Sequence, residues 1–120
     1  MHAVTPHHPD PAVALDRFTR AIPKAELHCH LLGTVRRNTF EELARRARSP
    51  LSAQEIEAFY TRGDKPVGVL RVLRALDQWL IRHPDDLHRL AYEYLQDAAA
   101  HQVRYAEVFW NPTGTAQQSG

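Results

Sequence analysis

Residues 23–34 read Pro-Lys-Ala-Glu-Leu-His-Cys-His-Leu-Leu-Gly-Thr. Within this segment, residues 24–31 alternate in character between Pro23 and Gly33, a pattern that predicts a short β-strand. Two histidines stand near the end of that strand, just before the loop that contains Gly33. The carboxyl ends of strands are where α/β barrels place their active sites. The segment therefore predicts a strand and, at its end, a candidate site.

The two histidines are His28 and His30, with Cys29 between them. Side chains two apart on a strand point to one face, so both imidazoles are expected to project together, within reach of one ion. Neutral imidazole binds zinc well, but the spacing alone leaves open a metal site or two structural histidines. Cys29 is expected to pack on the opposite face. Glu26 shares the parity of the histidines and is predicted to lie on their side of the strand, as a structural carboxylate that needs a partner.

A second strand is predicted at residues 103–110, which are rich in β-branched and aromatic residues. Between the strands, capping-box patterns begin at Thr39 and Ser52, and Pro84 suits a first helical turn. The segments that predict helices are residues 39–47, 52–60, 69–80 and 84–98, with a loop at residues 62–66. A strand, several helices and a strand form one elongated crossover, which favours parallel pairing and an α/β fold.

The chain as a whole has 120 residues and a formal net charge of +1. This balance gives no reason to expect nucleic acid or a membrane as a partner. One cysteine and the lack of an apolar leader suit the cytoplasm. We expect residues 1–13 to be a flexible leader, residues 14–114 to be the folded part, beginning with a short helix over 14–22, and residues 115–120 to be a frayed tail.

Residues 23–34 closely resemble the opening strand of adenosine and adenine deaminases, which typically read Pro-Lys-x-Glu-Leu-His-x-His-Leu, then an acidic residue, then Gly. The likeness continues at residues 39–44, 86–94 and 103–112, where the last segment includes Tyr-Ala-Glu-Val and the Asn-Pro stop. It covers residues 20 to 112, and the two separated strand motifs agree in order and spacing. The chain is thus identified as resembling the amino-terminal part of such a deaminase.

The resemblance implies a (β/α)8 TIM barrel of which this chain holds the first two strands and their elongated helical crossover. It implies one zinc ion per complete barrel, with His28 and His30 as metal ligands, and a purine base or nucleoside as substrate. The family's third His ligand, Asp ligand, Glu acid/base and orienting His come from later strands. A complete barrel needs about 250 residues, so we expect these groups beyond Gly120 and expect the chain to be inactive alone. The expected partners are the remainder of the barrel or a second copy, through self-association.

Two positions beside the histidines are candidate substrate-binding residues. Gly33 offers a backbone that a substrate can approach closely, although a turn glycine is an equal interpretation. Leu32 stands where the family usually has an acidic residue, which binds a sugar hydroxyl in the nucleoside enzymes. Leucine accepts no hydrogen bond, so the substrate is left open as adenosine, adenine or another amino-purine.

Two other functions are alternatives to the deaminase. A metal-dependent phosphoesterase also opens with a His-x-His strand, but its motif typically begins Asp-x-His-x-His near the amino terminus. The chain could also be a non-catalytic remnant or an interaction fragment. His83, His88 and His101 are expected to be surface residues. Phe109 and Trp110 are expected to pack in the core, with a pocket lining as the alternative.

Overall fold

The computed structural model describes residues 10–61 and 69–112. In chain order the elements are α1 (Pro11–Ala21), β1 (Lys24–His30), a 3-10 turn (Leu31–Thr34), α2 (Arg37–Ala47), α3 (Ala53–Tyr60), α4 (Val69–Ala75), a π-helical turn (Leu76–Leu80), α5 (Pro84–Ala100) and β2 (Val103–Phe109). The predicted loop at 62–66, the predicted tail at 115–120 and the first nine residues of the predicted leader lie outside the described residues.

The two strands pair in parallel, as predicted from the crossover. Their amino ends are tied together where the chain enters β2, because the Lys24 backbone N–H donates to the Gln102 carbonyl at 2.9 Å and Lys24 Nζ donates to the His101 carbonyl at 2.8 Å. The described residues form a two-stranded sheet, order β1-β2. The parallel crossover is confirmed, and the closed barrel stays a prediction.

Helix α1 begins earlier than the sequence pattern predicts. It starts at Pro11, within the predicted leader, because the Asp10 carboxylate accepts the Ala12 N–H at 2.9 Å and proline is suited to a first turn. None of its residues is buried. Phe18, its largest apolar side chain, is 60% exposed.

The main core lies inside the helical crossover and not between the strands. It is built from the facing apolar sides of α2 to α5 and the π-helical turn. Its buried members are Val35, Phe40, Leu43, Ala44, Leu51, Ile56, Val72, Ala75, Leu76, Leu80, Ile81 and Leu90. A second, smaller cluster joins β1 to α5 through Cys29, Tyr94 and Ala98. The helical crossover therefore has its own apolar core, which supports the ends of the strands.

The start of α2 differs from the prediction. The helix begins at Arg37, and Thr39 is a fully buried residue of its first turn, so Thr39 is not the cap. Its hydroxyl donates to the Glu93 carboxylate on α5, at 2.7 Å to the nearer oxygen. Arg89 completes the link by donating to Glu93 and to Glu42 of α2. The capping box predicted at Ser52 is confirmed, with Glu55 as its acidic member.

Helix α5 begins with Pro84, as predicted, and Asp86 in its first turn is buried. The Asp86 carboxylate accepts from Arg46 at 2.5 Å and from the backbone N–H groups of Arg82 and His83 at 3.0 Å each. Burial alone would raise the pKa of Asp86, but these hydrogen bonds outweigh it and the pKa lies below its usual value. The charged form therefore stabilises the fold.

We expect Asp86→Asn to lower the free energy of unfolding by about 1–3 kcal/mol at neutral pH, because charge-assisted hydrogen bonds to a buried group are lost. The pKa of Asp86 is lower in the folded state than in the unfolded state. The contribution of its carboxylate to stability is therefore fully present above the pKa of the unfolded state, and it is lost as the pH falls through the pKa of the folded state. The difference between parent and variant should shrink on acidification. Urea unfolding at several pH values measures this, with exposed Asp85→Asn as control; equal losses in both variants would contradict it.

Large apolar side chains remain exposed on the strands. Leu27 is 64% exposed and Tyr105 is 56% exposed, and the carboxyl end of β2 adds Val108 and Phe109. Such a surface favours association with further strands or with a second copy. Self-association stays a prediction. Among the described helices, none is long and apolar enough to span a membrane.

Candidate metal site at the end of the first strand

A bulge in β1 shapes the site. Glu26 pairs with Ala106 and Cys29 pairs with Val108, so two residues of β1 oppose one residue of β2. His28 lies in this bulge with φ of 62°, in the left-handed region that residues other than glycine seldom adopt. Bulges are frequent beside active sites, where they redirect a side chain. His28, a candidate site residue, therefore has a strained backbone conformation.

The two imidazoles lie close together, as predicted. The ring centroids of His28 and His30 are 5.1 Å apart, with the ring planes at 75°. Both side chains are exposed at the carboxyl end of β1. Cys29 lies on the other side of the strand, buried against Tyr94 and Ala98 of α5. Burial and the negative Glu26 raise the pKa of the Cys29 thiol, which favours a neutral packing role.

The prediction for Glu26 is half wrong. Its carboxylate has the expected structural partner, since the Tyr94 hydroxyl donates to Glu26 Oε2 at 2.8 Å. That partner lies on α5, so Glu26 faces the helix and not the side of the histidines. The extra residue in the bulge explains the change, because it reverses the parity between Glu26 and His30. Burial and this hydrogen bond raise the pKa of Tyr94.

A cleft of about 180 Å³ opens beside His30. Its walls come from the ends of both strands and from the α4 segment of the crossover. The lining residues are His30, Leu32, Leu70, Leu73, Arg74, Asp77, Phe109, Trp110 and Asn111. Leu32 thus lies where a molecule held near the histidines would contact it.

Phe109 and Trp110 line this cleft, with exposed fractions of 47% and 44%, so the expectation of core packing is wrong for both. Sequence reasoning missed Arg74 and Asp77, which also line the cleft. The available signal was their spacing, since residues three apart lie on one helical face and interrupt an apolar stripe.

The other predicted residues lie elsewhere. Gly33 does not line the cleft beside His30; it borders a separate cleft with Glu26 and Tyr94, on the α5 side of β1. His83, His88 and His101 are exposed along α5 and at its two ends, as predicted for surface residues. Within residues 10–61 and 69–112, no group of three or more His, Cys, Asp or Glu side chains is arranged to hold a metal. The described residues therefore offer two imidazoles as donors.

Comparisons with known proteins show which family the chain resembles. Residues 23–119 match the sequence model of the adenosine deaminase family. The crystal structure of an amidohydrolase from Burkholderia ambifaria, with bound Zn, is 60% identical over 96% of this chain, with a TM-score of 0.84. The aminodeoxyfutalosine deaminase of Streptomyces coelicolor is 34% identical over 96% of this chain, and an adenosine deaminase of Clostridium botulinum is 30% identical over 78%.

The matched part is a minor share of each of these proteins. The chain covers 32% of the Burkholderia structure, 30% of the Streptomyces enzyme and 30% of the Clostridium enzyme. What these relatives share with the chain is therefore the region that contains β1, the helical crossover and β2.

Proposed function

The chain belongs to the adenosine deaminase family, and on that premise we propose that it forms the amino-terminal part of a zinc-dependent deaminase acting on an amino-purine. The proposed protein is a complete (β/α)8 barrel with one zinc ion, to which this chain contributes β1, the crossover and β2. The reaction adds water to a purine carbon that bears an amino group and releases ammonia. The chain alone is proposed to be inactive.

The observation that carries the proposal is the pair of imidazoles on one side of β1. His28 and His30 lie with ring centroids 5.1 Å apart at the carboxyl end of a parallel strand. Imidazole nitrogen is a preferred zinc ligand, and two such groups supply half of a tetrahedral site. His28 and His30 thus fit a zinc site. The remaining ligands would come from groups outside the described residues.

The chain's own part in the chemistry is to bind and orient. His28 and His30 would hold the zinc, which supplies the Lewis acidity that lowers the pKa of a water molecule towards neutrality. The further ligands, the carboxylate that moves protons and the histidine that orients the water are assigned to later strands of the barrel. Leu32, Phe109 and Trp110 would exclude bulk water beside the metal, because they give the adjoining cleft apolar walls.

The proposed substrate class is an amino-purine, as the free base or as a nucleoside. The names of the relatives support this range, since one acts on aminodeoxyfutalosine and another on adenosine. The hydrogen bond that the family's acidic residue forms with a sugar hydroxyl is not expected at Leu32. This side chain lines the cleft beside His30 and accepts no hydrogen bond. Gly33 stays a weaker candidate for substrate contact.

A chimaera tests the proposal. We suggest joining this chain to the later part of the Burkholderia amidohydrolase, in place of the matching 32% of that protein. Ammonia release is then measured with zinc and with adenine, adenosine or aminodeoxyfutalosine, for the chimaera and for the chain alone. Turnover by the chimaera only is the expected result. A folded, zinc-loaded chimaera that releases no ammonia would favour the non-catalytic alternative.

Leu32→Asp in the chimaera is expected to raise kcat/KM for adenosine relative to adenine by about tenfold or more. A carboxylate restores an acceptor for a sugar hydroxyl, and a hydrogen bond to a charged group is worth about 1.5–3 kcal/mol. Leu32→Ala is the matched control, since it removes the same apolar bulk without adding an acceptor. An equal change in both variants would show that shape, and not hydrogen bonding, sets the preference.

A further inference from the structure

Phe109 contacts both histidines of the candidate site. Its ring centroid lies 4.8 Å from that of His28 and 6.2 Å from that of His30, and it is tilted by 40° to each. The contact is built into the sheet, because the Cα atoms of His30 and Phe109 are paired across β1 and β2. The three rings form one cluster at the carboxyl ends of the two strands.

The imidazoles need something to orient them. A histidine that binds a metal usually donates its other ring N–H to a carboxylate or carbonyl, which fixes the ring. Both side chains are exposed at the end of β1. Phe109 contacts both rings.

We propose that Phe109 is a positioning residue of the zinc site, an inference that rests on the proposed function. Phe109 holds the His28 and His30 imidazoles in the orientation that binds the metal. The flat ring of Phe109 restricts both imidazoles before the metal arrives, so less rotational freedom is lost on binding. Cys29 and Tyr94 cannot do this, because they pack on the other side of β1.

The role is separable from a role in folding. Phe109 is 47% exposed at the end of β2 and belongs to neither buried cluster. Replacing it by leucine keeps an apolar side chain of similar reach but removes the ring, whereas tyrosine keeps the ring. Tyr105→Leu is the matched control, since Tyr105 is an exposed aromatic residue of the same strand.

The experiment is a zinc titration of the chimaera defined above, which contains the complete proposed site, against a chromophoric competing chelator. Phe109→Leu is expected to weaken zinc binding roughly two- to tenfold, the range that corresponds to ordering one side chain. Phe109→Tyr and Tyr105→Leu should bind like the parent. Far-UV circular dichroism checks the fold, and Phe109→Met replaces the leucine variant if that one loses its helices.

His28→Ala, titrated in parallel, separates the two proposals. If His28→Ala weakens zinc binding but Phe109→Leu and Phe109→Met do not, the positioning role is refuted and the proposed metal site stands. If His28→Ala binds zinc like the parent, the proposed site itself fails. A loss with Phe109→Tyr equal to that with Phe109→Leu would also overturn the positioning role, because the ring is still present.

Discussion

His28→Ala in the chimaera is expected to lower kcat/KM for ammonia release by about 10³-fold or more. The reason is that removing a ligand weakens the metal site, and the metal supplies several kcal/mol of transition-state stabilisation. Zinc content should fall in the same samples, from one ion per barrel towards zero. The measurement is steady-state ammonia release together with elemental analysis of the dialysed protein.

The control for this loss is His88→Ala. His88 is an exposed histidine of α5 whose ring stacks on Tyr92, far along the chain from the bulge. It should leave both activity and zinc content unchanged. Because His28 and His30 would act as a unit, the double variant should be little worse than either single one. Full activity in His28→Ala would remove the proposed metal site from β1.

Phe40→Ala is expected to lower the free energy of unfolding of the chain by about 3–5 kcal/mol, as for other large aromatic truncations in a core. Phe40 is fully buried, and its ring packs 6.0 Å from Phe59 and 6.4 Å from Tyr60. The loss is a large share of a small domain's stability, which is about 5–15 kcal/mol. Urea unfolding followed by circular dichroism measures it.

The matched control is Phe18→Ala on α1, the same substitution at a side chain that is 60% exposed. It should change the free energy of unfolding by less than about 0.5 kcal/mol. The Phe40 variant also tests how the core supports the site, because Leu32 packs against that core and lines the cleft beside His30. A small effect of Phe40→Ala would mean that the crossover is not held by the core described above.

Much of the fold was predictable because it depends on local patterns. The two strands, the capping box at Ser52 and the start of α5 at Pro84 follow from residues close together in the sequence. The parallel pairing of the strands follows from the order strand, helices, strand. The prediction at Thr39 was wrong for a physical reason. The Thr-x-x-Glu pattern predicts a cap from neighbouring residues alone, whereas the Thr39 hydroxyl donates to Glu93, which is distant in sequence.

The candidate site also has some features that local sequence patterns predict and others that depend on residues distant in sequence. The sequence predicts that His28 and His30 share a side of β1 and that Cys29 does not, since alternation along a strand is a local property. The direction of Glu26 towards α5 depends on tertiary structure, because one extra residue in β1 reverses the parity and the extra residue is recognised only from the pairing with β2. The contact of Phe109 with both imidazoles also depends on tertiary structure. That contact joins residues about eighty positions apart in the numbering, and such proximity is fixed by how the crossover packs, which no local pattern encodes.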